Sequence, residues 1–483
     1  MADNGSQAGT IAVVGSGYVG LVASACFAEI GHRVICVDND EAKIRTLSAG
    51  GIPIHEEYLP ELLERHRGHR LEFTTDLRAA AQAAESIFIA VGTPQSSTGS
   101  ADLSYVDAVA SEVARSIDSY KVIVEKSTVP VYTNEWIRRV IERNGVPREM
   151  FDVASNPEFL REGTAVVDFL HADRIVIGAA TERASRLLAN LYAPLTDGSY
   201  FTSTNAVPGP CSEQNPPALL QTSTKAAEII KHASNAFLAT KISFINAVAN
   251  VCEAAGADVE EVARGMGMDT RIGNKFLRAG VGYGGSCFPK DVAAFRHVAD
   301  TVGVDFGLLR EVEKINEEQK LRFFQKIRSA LWTFRGKKIG VLGLAFKGGT
   351  DDIRESPALD IVRRLVEEGC NVSAYDPAAS LRTQEVLPSG PQMRYVDDPY
   401  IAAQDADVLL ILNDWQEFAE LDLVRLHETL RYPIVIDGRN LYDPAVMAKH
   451  GFTYLSVGRP GLSHPAGPVA VTRHPQAKVR TEV

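Results

Sequence analysis

Short apolar runs alternate with amphipathic stretches from residue 10 onward. The runs are TIAVVG, HRVICVD, SIFIAVG, KVIVEKS, DVAS and RIVIGA. Apolar, β-branched runs that alternate with helical patterns are typical of a parallel sheet with helices on both faces. A second series follows residue 336, with KKIGVLGLAF, NVSAYDP, ADVLLILND and PIVIDGRN. The pattern therefore predicts an α/β fold with two doubly wound, Rossmann-like domains.

A helical middle separates the two series. Residues 225–256 contain no proline and end at Gly256, and glycine commonly follows the last residue of a helix. About 30 helical residues form a rod of roughly 45 Å, long enough to join two domains or to pack against a second subunit. The preceding segment 203–224 is rich in Pro, Ser and Thr, as is typical of a linker or surface insertion. The tail 459–483 is rich in Pro, His and basic residues, and we expect it to be disordered.

Composition and charge exclude several classes of protein. The 483 residues are too many for one hydrophobic core, and 45% hydrophobic with 23% charged residues is average for soluble proteins. We expect no membrane partner, because no apolar run reaches the roughly 18 residues that a span needs. A formal net charge of -11 argues against nucleic acid as a partner, since phosphate binding needs a basic face.

The N-terminus and the cysteines indicate the compartment. The start, MADNGSQAGT, has neither the basic n-region nor the apolar h-region of a secretory signal. The six cysteines are scattered without CxxC or Cys/His pairs, which suits a reducing compartment better than a disulfide framework or a zinc site. We therefore expect a cytoplasmic protein without a bound metal, in which Cys26, Cys36, Cys252 and Cys370 are packing residues.

A glycine-rich turn follows the first predicted strand. Gly15, Gly17 and Gly20 allow a tight turn, close approach of a pyrophosphate, and close packing of helix on strand. Asp38 ends the next strand, where a carboxylate binds both ribose hydroxyls and repels a 2′-phosphate. The pattern predicts NAD as the cofactor, in preference to NADP. The alternative is a doubly wound domain whose glycine turn binds nothing.

Further motifs follow later strands of the same sheet. Residues 91–94 (VGTP) and 127–130 (STVP) lie at the predicted carboxyl edge, where such folds bind ligands, although either could be a simple strand-ending turn.

The motif 156–163 (NPEFLREG) contains two acidic residues. Asn156 is a predicted N-cap and Pro157 the first residue of a helix, which places Glu158 and Glu162 on one helix face. Two carboxylates at a ligand edge indicate acid/base work or sugar binding. A solvated helix face is the alternative.

Basic residues occupy patterned positions in the rest of the chain. Lys231 and Asn235 share a face of the long helix, although a single helical lysine is usually just solvated. The first turn of the C-terminal series, 343–347, lacks a GxG motif, so it is a poor dinucleotide site but could hold another nucleotide. Lys347 and Arg354 lie near the positive end of a helix that begins at Ser356-Pro357, which suits a phosphate.

Taken in order, these motifs resemble the UDP-glucose/GDP-mannose dehydrogenase family. GSGYVG, EKSTVPV, NPEFLREG, KHASNAF, RIGNKFLRAGVGYGGSCFPKD, FKGGTDDIRES and IDGRN follow the family's order between residues 10 and 458. Seven motifs together are far more specific than any one of them. The segment 203–224 is longer than usual for the family and the tail is extra, but neither touches a motif.

The resemblance implies a four-electron, NAD-dependent oxidation of UDP-glucose to UDP-glucuronate. Cys287 is then the nucleophile, and it forms a thiohemiacetal and a thioester with the substrate. A cysteine is needed because the intermediate aldehyde gives no second hydride until something adds to it. The glycines at 282, 284 and 285 let the backbone approach a sugar nucleotide, and Lys290 favours the thiolate. Lys231 and Asn235 donate to the oxyanion.

The same resemblance implies three sets of site residues. The catalytic set is Cys287, Lys231, Asn235, Asp291, Glu158 and Thr128. The cofactor set is Gly15, Gly17, Tyr18, Val19, Gly20, Asp38, Lys43, Thr93, Thr128, Glu162, Lys290 and Arg354. The substrate set is Glu158, Phe159, Leu160, Arg161, Glu162, Lys231, Asn235, Arg271, Phe276, Leu277, Arg278, Ala279, Gly280, Gly284, Lys347 and Arg439.

The resemblance also implies the domain plan and the assembly. The segments are a NAD-binding domain 1–202, a linker or insertion 203–224, a central helical domain 225–330 with the cysteine loop, a UDP-sugar-binding Rossmann-like domain 331–458, and the tail 459–483. The expected assembly is a homodimer or larger homo-oligomer built on the long helix, with Arg271 reaching the neighbouring subunit's site.

Three alternatives remain at this point. Within the family, the substrate could be GDP-mannose or a UDP-N-acetylhexosamine, although the likeness around GVGYGGSCFPKD favours UDP-glucose. A two-electron hydroxyacid dehydrogenase shares the first two domains, but it needs no second nucleotide domain. A non-catalytic nucleotide-sugar sensor has no use for an intact Cys287 and Lys231.

Overall fold

The computed structural model describes residues 9–94, 102–210 and 215–460. Within them, two sheets of mostly parallel strands are joined by a group of long helices, which confirms the predicted fold class. Apart from its first two residues, the predicted tail lies outside the described residues, as does Cys211. No helix of the described ranges is both long and apolar enough to cross a membrane.

The N-terminal sheet has the strand order β3-β2-β1-β4-β5-β6-β7-β8. Its strands are β1 Thr10–Val14, β2 Arg33–Val37, β3 Leu71–Thr74, β4 Ser86–Ile89, β5 Lys121–Glu125, β6 Phe151–Ser155, β7 Arg174–Ala179 and β8 Ala218–Thr222. Its helices are α1 Tyr18–Glu29, α2 Glu41–Ser48, α3 Leu59–His66, α4 Leu77–Ala83, α5 Ser104–Ala114, α6 Thr133–Arg143, α7 Ala165–Leu170, α8 Glu182–Leu191 and α9 Ala193–Thr196.

The strand order of this sheet creates a ligand crevice. The chain moves outward from β1 to β2 and β3, then crosses back to place β4 on the other side of β1. Such a switch point leaves an open crevice at the carboxyl ends of the strands. The sheet is parallel, as the sequence predicts, apart from the antiparallel pair β6 and β7.

The prediction of a linker or insertion at 203–224 is wrong for its last part. β8 pairs in parallel with β7, with Leu220 opposite Val176, and closes the sheet at one edge. All five of its residues are at least partly exposed, so the strand shows none of the alternation between apolar and polar positions that would reveal it in the sequence.

Four helices form the middle of the chain: α10 Thr224–Ala255, α11 Val259–Gly267, α12 Phe288–Thr301 and α13 Gly307–Leu331. The prediction of a helix over 225–256 is confirmed. The Ser223 side chain caps its first turn by accepting from the N–H of Ala226, and Gly256 ends it with φ of 79°. A left-handed residue at this position costs glycine little, because glycine has no Cβ.

The C-terminal sheet has the order β11-β10-β9-β12-β13-β14 and is parallel throughout. Its strands are β9 Lys338–Leu342, β10 Asn371–Tyr375, β11 Met393–Tyr395, β12 Val408–Ile411, β13 Ile434–Asp437 and β14 Thr453–Ser456. Its helices are α14 Pro357–Glu367, α15 Ser380–Val386, α16 Pro399–Ala403, α17 Gln416–Ala419, α18 Leu423–Thr429 and α19 Pro444–Lys449. This is the second doubly wound domain that the sequence predicts.

Each sheet is covered by apolar residues on both faces, and four cysteines lie in these cores. Cys26, Cys36, Cys252 and Cys370 are all buried, which confirms that they are packing residues. In the N-terminal core, burial raises the pKa of Cys36 to about 12, so its thiol stays neutral.

Phe27 on α1 is the centre of an aromatic cluster in the N-terminal core, and its replacement tests that core. Its ring centroid lies 5.0 Å from Phe88, 5.1 Å from Phe169 and 5.4 Å from Tyr192, and it is fully buried. We expect Phe27→Ala to lower the free energy of unfolding of this domain by about 3–5 kcal/mol, because the lost contacts leave a cavity. Urea unfolding followed by circular dichroism measures it. A loss no larger than that of Leu381→Ala, whose side chain is 78% exposed, would contradict this account.

Candidate active site

Cys287 lies at the point where a glycine-rich loop becomes helix α12. It is the residue before the first helical residue, and Pro289 follows in the first turn. The glycines of the loop are required by protein contacts. A Cβ on Gly284 would lie 2.1 Å from the carbonyl oxygen of Glu355, and one on Gly285, at φ of 83°, would meet the ring of Phe346. Contacts with the C-terminal domain therefore suffice to require glycine at both positions, and the predicted approach to a ligand stays a prediction.

The side chains around Cys287 come from the long helix α10, from the loop after β6 and from α12 itself. Lys231 on α10 donates to Glu158 Oε1 at 2.7 Å, and both groups are buried. Asn235, one turn further along α10, donates to Asp291 Oδ2 at 2.6 Å. Asp291 Oδ1 has no hydrogen-bond partner among the described residues, so it is available as an acceptor. The structure thus brings together five of the six predicted catalytic residues in one largely buried cluster: Cys287, Lys231, Asn235, Asp291 and Glu158.

The predicted helix at 156–163 is wrong. These residues form an irregular loop, and the next helix begins only at Ala165. Asn156 is used as a bridge and does not cap a helix: its amide donates to the carbonyl oxygen of Val176 while its Oδ1 accepts from Lys126. Glu158 and Glu162 are both buried, which also excludes the alternative of a solvated face.

Glu158 and Lys231 stabilise each other's charged form. Burial opposes ionisation of Glu158, yet the adjacent Lys231 ammonium lowers the pKa of the carboxyl. Burial likewise disfavours the ammonium, but Glu158 raises the pKa of Lys231. Both groups are therefore charged at neutral pH, and their mutual attraction makes up for lost solvation.

Cys287 itself is a neutral thiol in this environment. Burial, followed by the Glu158 carboxylate, raises the pKa of Cys287 to about 11, while Lys231 acts in the opposite direction. The expectation that Lys290 favours the thiolate is wrong. The Lys290 ammonium turns away to Thr93 Oγ1 at 3.3 Å and lies 3.9 Å from Asp291 Oδ1.

A second polar group connects Cys287 to the C-terminal domain. Ser286 Oγ donates to Glu162 Oε1 at 2.9 Å, and Arg354 Nη2 lies 3.3 Å from the same oxygen. Asp352 holds Arg354 by two hydrogen bonds of 2.9 and 2.6 Å. Burial and the neighbouring Asp352 raise the pKa of Glu162 to about 8. Lys347 donates to the carbonyl oxygen of Glu162 at 2.5 Å.

The glycine turn after β1 forms a cradle of the kind that a dinucleotide needs. Gly15 has φ of 105°, and a Cβ on Gly20 would lie 1.8 Å from the Gly15 carbonyl oxygen, so both positions need glycine. A Cβ on Gly17 would meet no atom within 4 Å and would instead fill the space before α1. The N–H groups at this helix end face that space, which fits a pyrophosphate. Val19 lies in the same first turn.

Asp38 is positioned at the end of β2 by several donors. Its Oδ2 accepts from the N–H and the hydroxyl of Ser16, at 2.8 and 2.7 Å, and lies 3.2 Å from the Lys43 ammonium. Burial raises the pKa of Asp38, but the hydrogen bonds from Ser16 and Asp40 and the charge of Lys43 outweigh it and lower the pKa. An ionised carboxylate at this place fits the ribose diol of NAD.

Two links join the cofactor cradle to the loop 156–163 and to the Cys287 helix. Tyr18 OH donates to Glu56 and accepts from the Gly163 N–H at 2.7 Å. Burial raises the pKa of Glu56 to about 7, against the hydrogen bond from Gly163. On the other side, Thr93 Oγ1 donates to the Thr128 carbonyl oxygen at 2.8 Å and accepts from Lys290 of the Cys287 helix at 3.3 Å.

The predicted nucleotide-binding residues cluster around an aspartate at the end of β12. Arg278 Nη1 lies 3.5 Å and Arg439 Nη2 3.3 Å from the carboxylate of Asp414. The Arg439 charge holds the pKa of Asp414 well below its usual range. Gly280, in the same loop, has its N–H and carbonyl held by the buried amides of Asn246 and Gln319.

Other predicted substrate residues are engaged elsewhere. The side chains of Leu277 and Ala279 are buried in the apolar core, so only their backbone could face a ligand. Arg161 pairs with Asp168, and Arg271 pairs with Asp269 at the surface. The remaining members are Phe159, whose ring lies under the Arg174 guanidinium, Leu160, whose N–H donates to Glu158, and Phe276, whose ring contacts Phe288.

Four polar residues of the site were missed by the sequence prediction: Ser286, Asp352, Asp414 and Glu56. Three of them stand inside or beside quoted motifs, since Ser286 precedes the cysteine, Asp352 belongs to FKGGTDDIRES, and Asp414 follows ADVLLILN. Their positions after strands and glycines were a usable signal. Glu56 had none, because its partners lie far away in the sequence. Among the described residues, no group of three His, Cys, Asp or Glu side chains could hold a metal ion.

Comparison with protein families gives three consecutive matches. The models are those of the UDP-glucose/GDP-mannose dehydrogenase family: its NAD binding domain matches residues 9–196, its central domain residues 225–318, and its UDP binding domain residues 340–444.

Individual relatives match over nearly the whole chain. UDP-glucose 6-dehydrogenase TuaD of Bacillus subtilis is 46% identical over 453 residues, which cover 94% of each chain. A UDP-glucose 6-dehydrogenase of Rhizobium meliloti is 45% identical and covers 93% of this chain and 99% of its own.

Two solved structures have the same fold. A UDP-glucose dehydrogenase from Pyrobaculum islandicum is 37% identical, with a TM-score of 0.83, over 95% of this chain and 100% of its own. The UDP-D-ManNAc dehydrogenase of Pyrococcus horikoshii is 27% identical, with a TM-score of 0.78, over 93% and 99%.

The thiol pKa gives a direct test of the cluster. Replacing Glu158 by Gln removes the negative charge beside the sulfur and frees the Lys231 ammonium, and both changes favour the thiolate. We expect the pH at which Cys287 becomes reactive to fall by about one to two pH units. Iodoacetamide alkylation of the Cys287 peptide, followed by mass spectrometry across pH, measures it. A curve that coincides with wild type, or that moves equally in the surface control Glu72→Gln, would refute the assignment.

Proposed function

The chain belongs to the UDP-glucose/GDP-mannose dehydrogenase family, and on that premise we propose that it oxidises UDP-glucose to UDP-glucuronate with two molecules of NAD. One observation carries the proposal: a partly buried thiol, Cys287, stands beside the Lys231–Glu158 pair where the cofactor-binding and UDP-binding domains meet. NAD, held by the glycine turn after β1 and by Asp38, would supply the hydride acceptor for each half of the reaction.

The proposed roles follow from the contacts of each side chain. In the first half, Asp291 Oδ1 is the open acceptor for the proton of the primary alcohol, and Lys231 holds the developing alkoxide by its charge. In the second half, Cys287 adds to the aldehyde, and the resulting thiohemiacetal becomes a thioester. Glu158 stays ionised against Lys231 and accepts hydrogen bonds from the sugar or from the water that cleaves the thioester.

The UDP end of the substrate is assigned to the cations of the C-terminal domain. Arg278 and Arg439 share the single carboxylate of Asp414, so the three groups carry a net positive charge that suits a diphosphate. Lys347 is close by, because the next residue, Gly348, donates its N–H to Asp414 Oδ1 at 3.0 Å.

UDP-glucose is preferred over the other sugars on similarity. Relatives named for UDP-glucose reach 46% identity, whereas the UDP-D-ManNAc dehydrogenase structure reaches 27%. A UDP-N-acetylhexosamine is therefore the second candidate, and GDP-mannose the third. The match to a UDP binding domain argues against the alternative of a hydroxyacid dehydrogenase, because such an enzyme needs no second nucleotide-binding domain.

The stoichiometry and the role of Cys287 are tested together. We expect wild type to release two NADH per UDP-glucose and to make UDP-glucuronate in preference to products of GDP-mannose or UDP-N-acetylhexosamines. Cys287→Ser keeps the size of the side chain but loses the nucleophile, so its product formation should fall below about a tenth of wild type, a barrier change above roughly 1.4 kcal/mol. NADH absorbance and chromatography of the nucleotide sugars measure both.

The control for this experiment is Cys252→Ala, a buried packing residue whose loss should affect stability alone. One NADH per sugar would contradict the four-electron reaction. A fully active Cys287→Ser enzyme would contradict the thioester.

Cofactor preference is tested at Asp38. An ionised carboxylate there repels a 2′-phosphate, and the nearby Lys43 ammonium is already paired with it. We expect kcat/KM with NADP to be at least about 100-fold below that with NAD, since like charges side by side cost several kcal/mol where they are desolvated. Asp38→Asn should narrow the gap, whereas Asp40→Asn, an exposed N-cap of α2, should not. Comparable kcat/KM values for the two cofactors in wild type would rule out the assignment.

Assembly through α10 is also proposed. The helix exposes Phe237, Phe244 and Val251, at 65%, 52% and 66%, at a spacing of seven residues that places them on one face. Such a stripe on a soluble protein indicates a partner surface. The proposed partner is a second copy of the chain, in which Arg271 reaches the neighbouring site.

We expect a Phe237→Glu, Phe244→Glu double variant to be smaller in solution than wild type, because the charges cannot be buried between two helices. Light scattering measures the mass, and circular dichroism checks that the helices remain. Val424→Glu, on exposed α18, is the control. A wild-type protein that is an active monomer would exclude the assembly.

The proposed compartment is the cytoplasm. The five cysteines of the described residues are all unpaired, which is the usual state of thiols in a reducing environment.

A further inference from the structure

Ser286 connects the Cys287 thiol to a buried carboxyl. Its Oγ lies 3.5 Å from Cys287 Sγ and 2.9 Å from Glu162 Oε1. A serine hydroxyl has a single proton. When Glu162 is ionised it can only accept, so that proton is directed to Glu162, and the thiol must then donate to Ser286. The three side chains form a continuous path for the thiol proton.

The groups around Glu162 make it a stronger base than an ordinary carboxylate. Asp352 stands beside it, and burial together with that neighbour raises the pKa of Glu162 to about 8. The Arg354 guanidinium and the Lys347 ammonium lie on the C-terminal domain side of Glu162. Their positive charges favour the ionised form of its carboxyl group. The pKa of the proton donor, Cys287, is about 11. The raised pKa of Glu162 therefore brings the pKa of the acceptor closer to that of the donor.

Other bases near the sulfur are engaged. Glu158 is bound to Lys231, which lowers its pKa and makes it a poor proton acceptor. Asp291 accepts from Asn235 and is assigned to the substrate alcohol in the first half-reaction. Glu162 Oε2, like Asp291 Oδ1, is buried without a hydrogen-bond partner in the described part of the chain, but Glu162 differs from Asp291 in being joined to the sulfur through Ser286.

We propose that Ser286 is a catalytic residue that relays the proton of Cys287 to Glu162 as the sulfur adds to the aldehyde, and returns it when the thioester is cleaved. The proposal rests on the function proposed above, in which Cys287 is the nucleophile, and it adds the acceptor for the thiol proton.

Atoms and charges balance in this scheme. On addition, the S–H bond breaks and an S–C bond forms; Ser286 Oγ takes the thiol proton and passes its own to Glu162, and the negative charge moves to the aldehyde oxygen beside Lys231. Loss of hydride to NAD then gives the thioester. On hydrolysis, the oxygen of water bonds to the carbonyl carbon and the C–S bond breaks. The leaving sulfur takes a proton from Ser286 Oγ, and Glu162 returns its proton to Ser286. The two protons of the water leave to solvent as the carboxylate forms.

The experiment supplies the 6-aldehyde of the UDP-sugar directly, so that only the second half-reaction is observed. In wild type, its rate should rise with pH through about 8, because ionised Glu162 is the acceptor. Ser286→Ala removes the relay, and the aldehyde step should slow by about 10²–10³-fold and lose this rise. Ser286→Thr keeps a hydroxyl, so it should keep both the rate of the aldehyde step and its rise with pH. Glu162→Gln should lose the rise.

Two measurements keep a structural effect separate from the chemical one. The first half-reaction, followed with an aldehyde trap, should change less than about threefold in Ser286→Ala, since no thiol takes part in it. The KM for NAD should also be unchanged. Ser329→Ala, at an exposed helical serine, is the matched control.

The outcomes are distinct. An aldehyde step that keeps its rate and its rise with pH in Ser286→Ala overturns the relay while leaving Cys287 as nucleophile. Equal losses in Ser286→Ala and Ser286→Thr also overturn it, because the hydroxyl is then irrelevant. An active Cys287→Ser enzyme overturns the proposed function itself. Loss in Ser286→Ala with retention in Ser286→Thr supports the relay.

Discussion

The buried ion pair between Lys231 and Glu158 is the interaction on which the active-site geometry depends. It ties the long helix α10 to the loop that follows β6, two segments 73 residues apart in the chain. Removing one partner would leave an uncompensated charge in the interior, which typically costs about 3–5 kcal/mol. The pair therefore fixes the distance between the central helices and the N-terminal sheet. Glu158, Lys231 and Asn235 take their positions from those two bodies, and Asp291 on α12 is joined to them through its hydrogen bond with Asn235.

The contact between the two nucleotide-binding domains is made largely of backbone. A Cβ on Gly163 would lie 2.2 Å from the carbonyl oxygen of Gly349, and Gly284 meets Glu355 in the same way. Lys347 donates to the carbonyl oxygen of Glu162 across the same junction. Close backbone contact leaves little room for adjustment, because it has no flexible side chain to absorb a change. The cofactor side and the UDP side of the site are therefore held in register by glycines.

The periodicity of the sequence was enough to predict what depends on regular structure. The two sheets, the long helix with its end at Gly256, and the buried cysteines all follow from apolar spacing and caps. Residue types in motifs also located the cluster around Cys287. The failures have a common physical origin. Asn156-Pro157 is a favourable sequence for the start of a helix. In the structure, however, the Asn156 side chain is hydrogen-bonded to the distant strand β7, and Glu158 is paired with Lys231.

The protonation states of the site residues could not be predicted from the sequence for the same reason. Lys290 is three residues from Cys287, but its ammonium turns to Thr93, and the thiol responds instead to Glu158, which is distant in the chain. Glu56 is found beside Tyr18 and Gly163 only once the fold is formed. A tertiary contact decides each of these cases, and no local pattern encodes it.

The edge strand β8 has a consequence for the behaviour of the protein at high concentration. An unpaired sheet edge is a template on which a strand of another molecule can add, which is how ordered aggregates grow. β8 is short and mostly exposed, and Pro216 and Pro217 precede it directly. Proline has no N–H to offer to an incoming strand. The two prolines therefore limit how far the edge can extend, and the residues that look like those of a linker protect the sheet from growing.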